Sequence, residues 1–455
     1  MKKNKIIDVK VEKMNYPNFS LGAYQGVDVQ FKGGLLGQTC RVKITRNRST
    51  KKKAKFLEVV EHSYLENAKD FCPNADICGG CAYQRLPYET ELMLKLDMIK
   101  RLLEEEGIKK SFDVSINRSP LTKAFRNKME YTFGDSQKDG PLVLGLHRQG
   151  KFYELVDTLG CNIVDSDFEI IRRFVQEYFR RKNAHFYHRT NRSGLLRHLI
   201  VRKAMHTGEL MVVLVTTSDQ AFDEIKKDLF AQALLKADTK GDIVSIYHVT
   251  NDSLADAVIP EKVELLYGKN NIEEEMMGLS FKISPFSFFQ PNVFMAEKLY
   301  QKAFEFAGVN KDTKVLDLYS GTGTITQLMA KVCKKATGIE IVEESVDKAR
   351  ENAKINQIEN IEFICGDVLK EIENVRGDFD VVVLDPPREG IHPKAINKII
   401  DINPDKFVYI SCNPKTQVRD IKIFEENAYF VKKYQVFDQF VNSRHVETIA
   451  LLSRK

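Results

Sequence analysis

Asp317-Leu318-Tyr319-Ser320-Gly321-Thr322-Gly323-Thr324 decides the fold. It closes an apolar run at 314–318 and leads into a segment with helical patterning. Glycines at such a strand-to-helix turn let backbone approach a ligand closely, and ligands bind off the carboxyl ends of strands in this setting. The same rhythm continues downstream. Further apolar runs at 336–340, 361–365, 379–384 and 406–411 alternate with helical segments, and two more strands, 429–437 and 445–452, end the chain. Five strand–helix units followed by a hairpin-like end predict an α/β fold, a doubly wound sheet with an antiparallel C-terminal strand.

Outward from that unit the patterning changes. Residues 112–285 mix two predicted hairpins, 142–156 and 195–217, with a helix over 165–180 whose core stripe is Ile171, Phe174, Val175 and Tyr178. Arg197, His198, Arg202 and Lys203 crowd one strand there, so this α+β region can add to a surface for a polyanion. A helix over 88–106 carries Leu92, Leu96, Ile99 and Leu103 on one face, with Gly107 at its C-terminal cap. The first 62 residues alternate in period two, as four or five short strands that suggest a small closed barrel of the OB type. The expected units are 1–62, 63–285 and 286–455, with helix 88–106 able to pack on the last of them.

Charge follows the same division. The chain of 455 residues has a formal charge of +6, yet residues 1–60 hold 14 Lys+Arg against 4 Asp+Glu. The densest run is Thr45-Arg46-Asn47-Arg48-Ser49-Thr50-Lys51-Lys52-Lys53. A basic module on a near-neutral body points to a nucleic acid partner, because contact with phosphates releases counterions. No stretch reaches the roughly 18 apolar residues of a membrane span, and no apolar run follows the N-terminal lysines. The expectation is a cytoplasmic protein with no membrane association and no evident obligate protein partner. Eight cysteines are too few for a disulfide scaffold in a chain of this length.

Glu340 ends the second strand of the α/β unit, 17 residues beyond Gly323, where it can accept from ribose hydroxyls. These features alone suit either NAD or S-adenosylmethionine. Position 326 is Thr where the dinucleotide fingerprint has its third glycine, which weakens a pyrophosphate site and favours S-adenosylmethionine. Asp367 follows the third strand and can accept from an adenine amino group. The fourth strand ends in Asp385-Pro386-Pro387-Arg388, a stiff extended lip with free carbonyls. Such a lip also occurs in enzymes that methylate exocyclic amines of bases.

Cys412, in Ser411-Cys412-Asn413-Pro414, belongs at the same edge. Carbon 5 of uracil is a poor nucleophile until a thiolate adds to carbon 6, and a base must afterwards remove the carbon 5 proton. Glu447, in a closing strand that is otherwise apolar, is the candidate base, and His445 shares its face. Cys72, Cys78, Cys81 and Cys161 supply four further thiolates. Their spacing suits an iron–sulfur cluster better than paired zinc knuckles, and it differs from the C-x3-C-x2-C run of radical enzymes. A structural 4Fe–4S cluster is expected.

Together these residues resemble the RNA uridine-5 methyltransferase family, over nearly the whole chain. The likeness rests on CPNADICGGC, FSFFQPN, DLYSGTGT, DPPREG, SCNP and HVET. It implies a class I (Rossmann-like) methyltransferase sheet, a TRAM-like N-terminal barrel and a central α+β iron–sulfur domain. It further implies Cys412 as nucleophile and Glu447 as base. Gln290, Tyr319, Glu340 and Asp385 would surround the cofactor and the target uracil, and the four cysteines would ligate the cluster. The cysteine motif is most similar to 23S ribosomal RNA members, with transfer RNA as the alternative substrate. Two departures stand out. The N-terminal segment lacks the glycine-rich TRAM consensus, and VFDQFVNSR replaces the usual Pro-x-Asp-Met-Phe-Pro-like stretch. The rival readings are an exocyclic-amine methyltransferase, which needs no cysteine, an RNA-binding assembly factor with a vestigial fold and an iron–sulfur redox enzyme.

Overall fold

Eight strands build the sheet that carries the site. Their order is Ile361–Cys365, Lys335–Glu340, Lys314–Leu318, Val381–Leu384, Lys406–Ser411, Glu447–Ser453, Phe430–Phe437 and Val114–Asn117. The first five run parallel, and Glu447–Ser453 inserts antiparallel between Lys406–Ser411 and Phe430–Phe437. Parallel strands covered on both faces are apolar throughout. Val381-Val382-Val383-Leu384 is buried at every position, as is Phe407-Val408-Tyr409-Ile410. The computed structural model describes residues 4–47, 51–108, 112–218, 227–255, 257–375 and 379–454. Arg48, Ser49 and Thr50 of the basic run lie outside them.

A seven-stranded sheet spans the middle of the chain, from Lys128–Gly134 to Lys262–Gly268, and includes both expected hairpins. Helix Ser166–Arg181 buries Phe168, Ile171, Val175 and Phe179 against it. The N-terminal residues form a six-stranded sheet with edges Ile6–Lys10 and Lys13–Asn15. The chain passes from one edge to the other through Val11 and Glu12, whose N–H groups donate to Gln38 O and Leu21 O. Two of these strands, Lys13–Asn15 and Phe19–Tyr24, escape the sequence reading because Pro17, Asn18 and Gly22 interrupt the alternation.

Strand Val114–Asn117 and helix Tyr88–Glu105 join the C-terminal sheet although they precede the central one. The apolar face predicted for that helix is broader than expected and includes a charge. Lys95 is fully buried, and its ammonium donates to Glu91 (2.6 Å), Asp438 (2.5 Å) and the Phe440 carbonyl (3.1 Å). Burial disfavours the cation, but the two carboxylates more than offset it and raise the Lys95 pKa. Breaking a buried ion cluster by removing one partner costs about 3–5 kcal/mol, because the other charges stay buried. Lys95→Met should therefore lower the thermal midpoint sharply near neutral pH. Burial already raises Glu91 to about 7. Loss of Lys95 raises it further, so the deficit shrinks as pH falls and Glu91 protonates. Thermal melts of both proteins between pH 5 and 8 check this, and a deficit that grows in acid would refute it.

Candidate active site

Strand register brings the predicted residues to one edge. Tyr319 follows the carboxyl end of Lys314–Leu318, Glu340 ends its neighbour, and Asp385 follows Val381–Leu384. Ser411 pairs with Thr448, so Cys412 and Glu447 lie one step further along the same two strands, at the same edge. Asp367, Asp385 and Cys412 therefore follow the carboxyl ends of parallel strands, where open sheets bind ligands, and Glu447 opens the antiparallel strand that begins at the same edge.

The glycine turn is tightly built. Tyr319 holds φ +66°, a strained conformation for a non-glycine residue of the kind that clusters at functional sites. A Cβ on Gly323 would lie 2.5 Å from the Phe363 ring and 2.9 Å from the Ala349 methyl, so only glycine fits there. Glu340 accepts from the N–H groups of Gly321, Ile341 and Val342, each at 2.9 Å, which fixes its carboxylate beside the turn. Asp367 accepts from Leu369 N–H and so caps the helix Val368–Glu371. Thr326, in place of a third glycine, donates to the buried Asp317 (2.6 Å). The other Asp317 oxygen is buried with no hydrogen-bond partner, as is the Ser320 hydroxyl. Burial raises Asp317 to about 7, with Asp385 adding to the effect. Burial alone raises Asp385 to about 7.

Cys412 is half-buried, and burial, then the charges of Glu447 and Asp385, push its thiol up to about 12 while Arg388 opposes them. Glu447 is 4% exposed, and burial and the Asp385 charge hold it well above the usual carboxylate range, again against Arg388. Arg388 donates to His445 (3.0 Å), and burial together with the Arg388 charge lowers His445 to about 4, which keeps the ring a neutral acceptor. Gln290 is buried and accepts from Gln439 (3.1 Å). Its side chain also bonds Tyr300, whose phenol is raised by burial and then by Asp385, with smaller contributions from Glu447 and Asp317.

Several residues here carry no sequence signal. Arg388 stands within a quoted motif, yet its pairing with His445 spans 57 positions. Tyr16 comes from the N-terminal sheet. It is buried, and after desolvation the largest influences on its phenol are the charges of Glu447 and Cys412. The turn that holds it is fastened from both sides of the site, by Lys415 over the Phe19 ring (5.7 Å) and by Arg444 donating to the Asn18 side-chain oxygen (2.9 Å).

Away from this edge, Cys72, Cys78, Cys81 and Cys161 line one small hollow. Gly80 N–H donates to the Cys78 sulfur and the Gln84 amide to that of Cys81. Among the described residues, no group of three or more His, Cys, Asp or Glu is arranged to hold a metal ion.

Comparison with known proteins decides the family. The tRNA (uracil-5-)-methyltransferase family matches residues 260–455. An uncharacterized RNA methyltransferase of Caldanaerobacter subterraneus subsp. tengcongensis is 43% identical over the full length of both chains. The chain belongs to the RNA uracil-5-methyltransferase family. A second relative, an uncharacterized RNA methyltransferase of Clostridium tetani, is 42% identical over 100% of this chain and 99% of its own. The crystal structure of Pyrococcus abyssi tRNA (uracil-54, C5)-methyltransferase in complex with S-adenosyl-L-homocysteine superposes with a TM-score of 0.75. That match has 27% identity and covers 98% of this chain and 99% of that one. The methyltransferase thus uses S-adenosylmethionine and acts on RNA. Among the described residues no helix is long and apolar enough to cross a membrane.

Proposed function

We propose that this methyltransferase modifies carbon 5 of a uridine in 23S ribosomal RNA through a covalent bond between Cys412 and carbon 6 of the uracil. The observation that carries the reading is the meeting of Cys412, Glu447, Asp385 and Arg388 at one sheet edge, beside the strained Tyr319–Gly323 turn. Cys412 sulfur adds to carbon 6, and the ring electrons move to give an enolate with a nucleophilic carbon 5. Arg388 favours the thiolate form. After carbon 5 is alkylated, Glu447 removes its proton, the ring double bond re-forms and the carbon–sulfur bond breaks. The target base must leave its stack to reach the thiol.

S-adenosylmethionine supplies an electrophilic methyl group when bound. Glu340 would take its ribose hydroxyls and Asp367 its adenine amino group, with Gln290, Tyr319 and Asp385 around its reacting end. The residues fit such a donor. Asp317 and Asp385 are buried carboxyls short of cationic partners, and the donor carries a sulfonium and an ammonium.

The four-thiol hollow supports a structural 4Fe–4S cluster. Two N–H groups aimed at sulfur and the buried Arg126 guanidinium beside Cys81 and Cys161 suit an anionic cluster. The passage of the N-terminal strand from one sheet edge to the other supports a TRAM-like barrel over 1–62; of the expected units 63–285 and 286–455, the first lends helix Tyr88–Glu105 and strand Val114–Asn117 to the sheet of the second. Transfer RNA is the second reading, favoured by the substrate for which the Pyrococcus abyssi enzyme is named. Mass mapping of 5-methyluridine in cells lacking the gene tests the proposal. The expected result is loss at a 23S position with transfer RNA unchanged. Loss confined to transfer RNA moves the assignment to the second reading, and no loss in either RNA overturns both.

A further inference from the structure

We infer that the central sheet carries a separate cleft that stacks unpaired RNA bases flanking the target uridine. The cleft, about 1010 Å³, opens between the hairpin 143–156 and the segment 186–191. Its platform is assembled from aromatic and guanidinium planes. Phe152 stacks on His147 (centroids 5.1 Å apart, planes at 4°) and lies under the Arg189 guanidinium at 4.4 Å. Tyr153 meets Phe152 edge-on at 5.4 Å and is 74% exposed. On the facing wall Tyr187 lies under Arg197 at 4.6 Å, and Arg197 itself is pinned by the carbonyls of Asn251, Ser253 and Ala255.

A regular strand would send Phe152 and Tyr153 to opposite faces. Both line this cleft because the pairing of the hairpin breaks between Lys151 and Leu155, and the intervening residues bulge out. Bulges of this kind re-aim side chains next to functional sites. Two large aromatics side by side in an open cleft on a protein surface are costly unless something covers them.

The occupant follows from charge and continuity. Glu154 pairs with Arg148 and Lys151, and the lining as a whole sets Asp135, Asp139 and Glu154 against Lys138, Arg148, Arg189 and Arg197, close to balance. Such a cleft does not attract the backbone of a duplex. It offers planes, which bind the faces of unstacked bases with little sequence preference. His147 and Arg148 also line a second hollow, whose other walls are Gly79–Ala82 of the cysteine loop and Ser443–His445. His445 contacts Arg388 of the active site. The cleft thus adjoins a hollow, walled in part by the cysteine loop, that reaches His445 beside the candidate methylation pocket.

This inference rests on the RNA substrate of the proposed function, and its test does not require methyl transfer. The probes are fluorescein-labelled oligouridines of about 16 and about four nucleotides, spanning the reported site sizes for single strands. Stacking is worth about 1–3 kcal/mol per base by alanine substitution, so Tyr153→Ala should weaken the longer probe about ten-fold and Phe152→Ala/Tyr153→Ala about a hundred-fold. Affinity for S-adenosylmethionine should be unchanged, which reports an intact fold, and the shorter probe, which can occupy the pocket or the cleft but not both, should lose less than the longer one. The loss should persist from low to high salt, because stacking releases no counterions. Equal affinities for the longer probe, or a difference that vanishes at high salt, overturns the inference. Loss of binding in a protein that methylates no RNA upholds the cleft and removes the proposed function instead.

Discussion

Cys412→Ala should abolish methyl transfer while binding of RNA and of S-adenosylmethionine survives. The expected fall in turnover is on the order of 10⁴-fold or more, the scale on which enzymes lose activity when a covalent nucleophile is removed. The site shows why so much hangs on one atom. Without addition at carbon 6, carbon 5 of uracil has no electron pair to offer, whatever the quality of the methyl donor. Cys412 stands among Glu447, Asp385 and Arg388, and its thiol is pushed up to about 12 by burial and the two carboxylates. It is therefore protonated at neutral pH until a neighbour changes charge, and activity should rise with pH through the neutral range. Cys412→Ser should be nearly as inactive, because a hydroxyl is harder to ionise in the same field and a poorer leaving group. Single-turnover assays with purified RNA measure this, and binding assays on the same samples show that the fold is intact. Turnover within about ten-fold of the native enzyme would leave only a mechanism that needs no nucleophile, such as methylation of an exocyclic amine.

The C-terminal sheet was readable in the sequence because its central strands are buried on both faces and its parallel strands alternate with helices. The parallel strands expected at 314–318, 361–365 and 406–411 lie at Lys314–Leu318, Ile361–Cys365 and Lys406–Ser411. Glu447 was readable for the same reason, as a carboxylate inside an otherwise apolar run. What escaped depends on contacts between distant segments. Strand Val114–Asn117 is four residues long and joins the sheet only through Phe430–Phe437, more than 300 positions away. Lys95 looks like a surface residue of an amphipathic helix, since nothing nearby in sequence announces Asp438 as its partner. That pairing has a consequence at the site. It anchors the turn from Asp438 to His445, which delivers Gln439 to Gln290 and His445 to Arg388. The departure VFDQFVNSR thus includes the aspartate that completes a buried ion cluster. Tyr16 was hidden in the same way, because period-two patterning describes a sheet and not the neighbour on which the sheet rests.

Glu447→Gln should trap the RNA on the enzyme. Addition of the thiol and alkylation of carbon 5 both precede removal of the carbon 5 proton, so loss of the base leaves the carbon–sulfur bond intact. A species of summed protein and RNA mass should build up on a denaturing gel in the presence of S-adenosylmethionine, and a Cys412→Ala/Glu447→Gln double variant should not form it. The electrostatics work in the same direction. Glu447 is the largest influence on the Cys412 thiol after burial, and it acts to raise the pKa. A neutral glutamine removes that negative charge, so the thiol becomes more acidic and the first step is not slowed. Alkylation of Cys412 by iodoacetamide reads this directly. Its rate should rise at lower pH in Glu447→Gln than in the native protein, and at higher pH in Arg388→Ala, where a stabilising cation is lost. In the native enzyme, burial and Asp385 hold Glu447 well above the usual carboxylate range, so it gains its role as base only as pH rises, together with the thiol. The two groups share one pocket and one cation, and each ionises more readily when the other is neutral. A Glu447→Gln enzyme that turns over without accumulating adduct would assign proton removal to another group, and slower alkylation in that variant would show that the carboxylate does not act on the thiol at all.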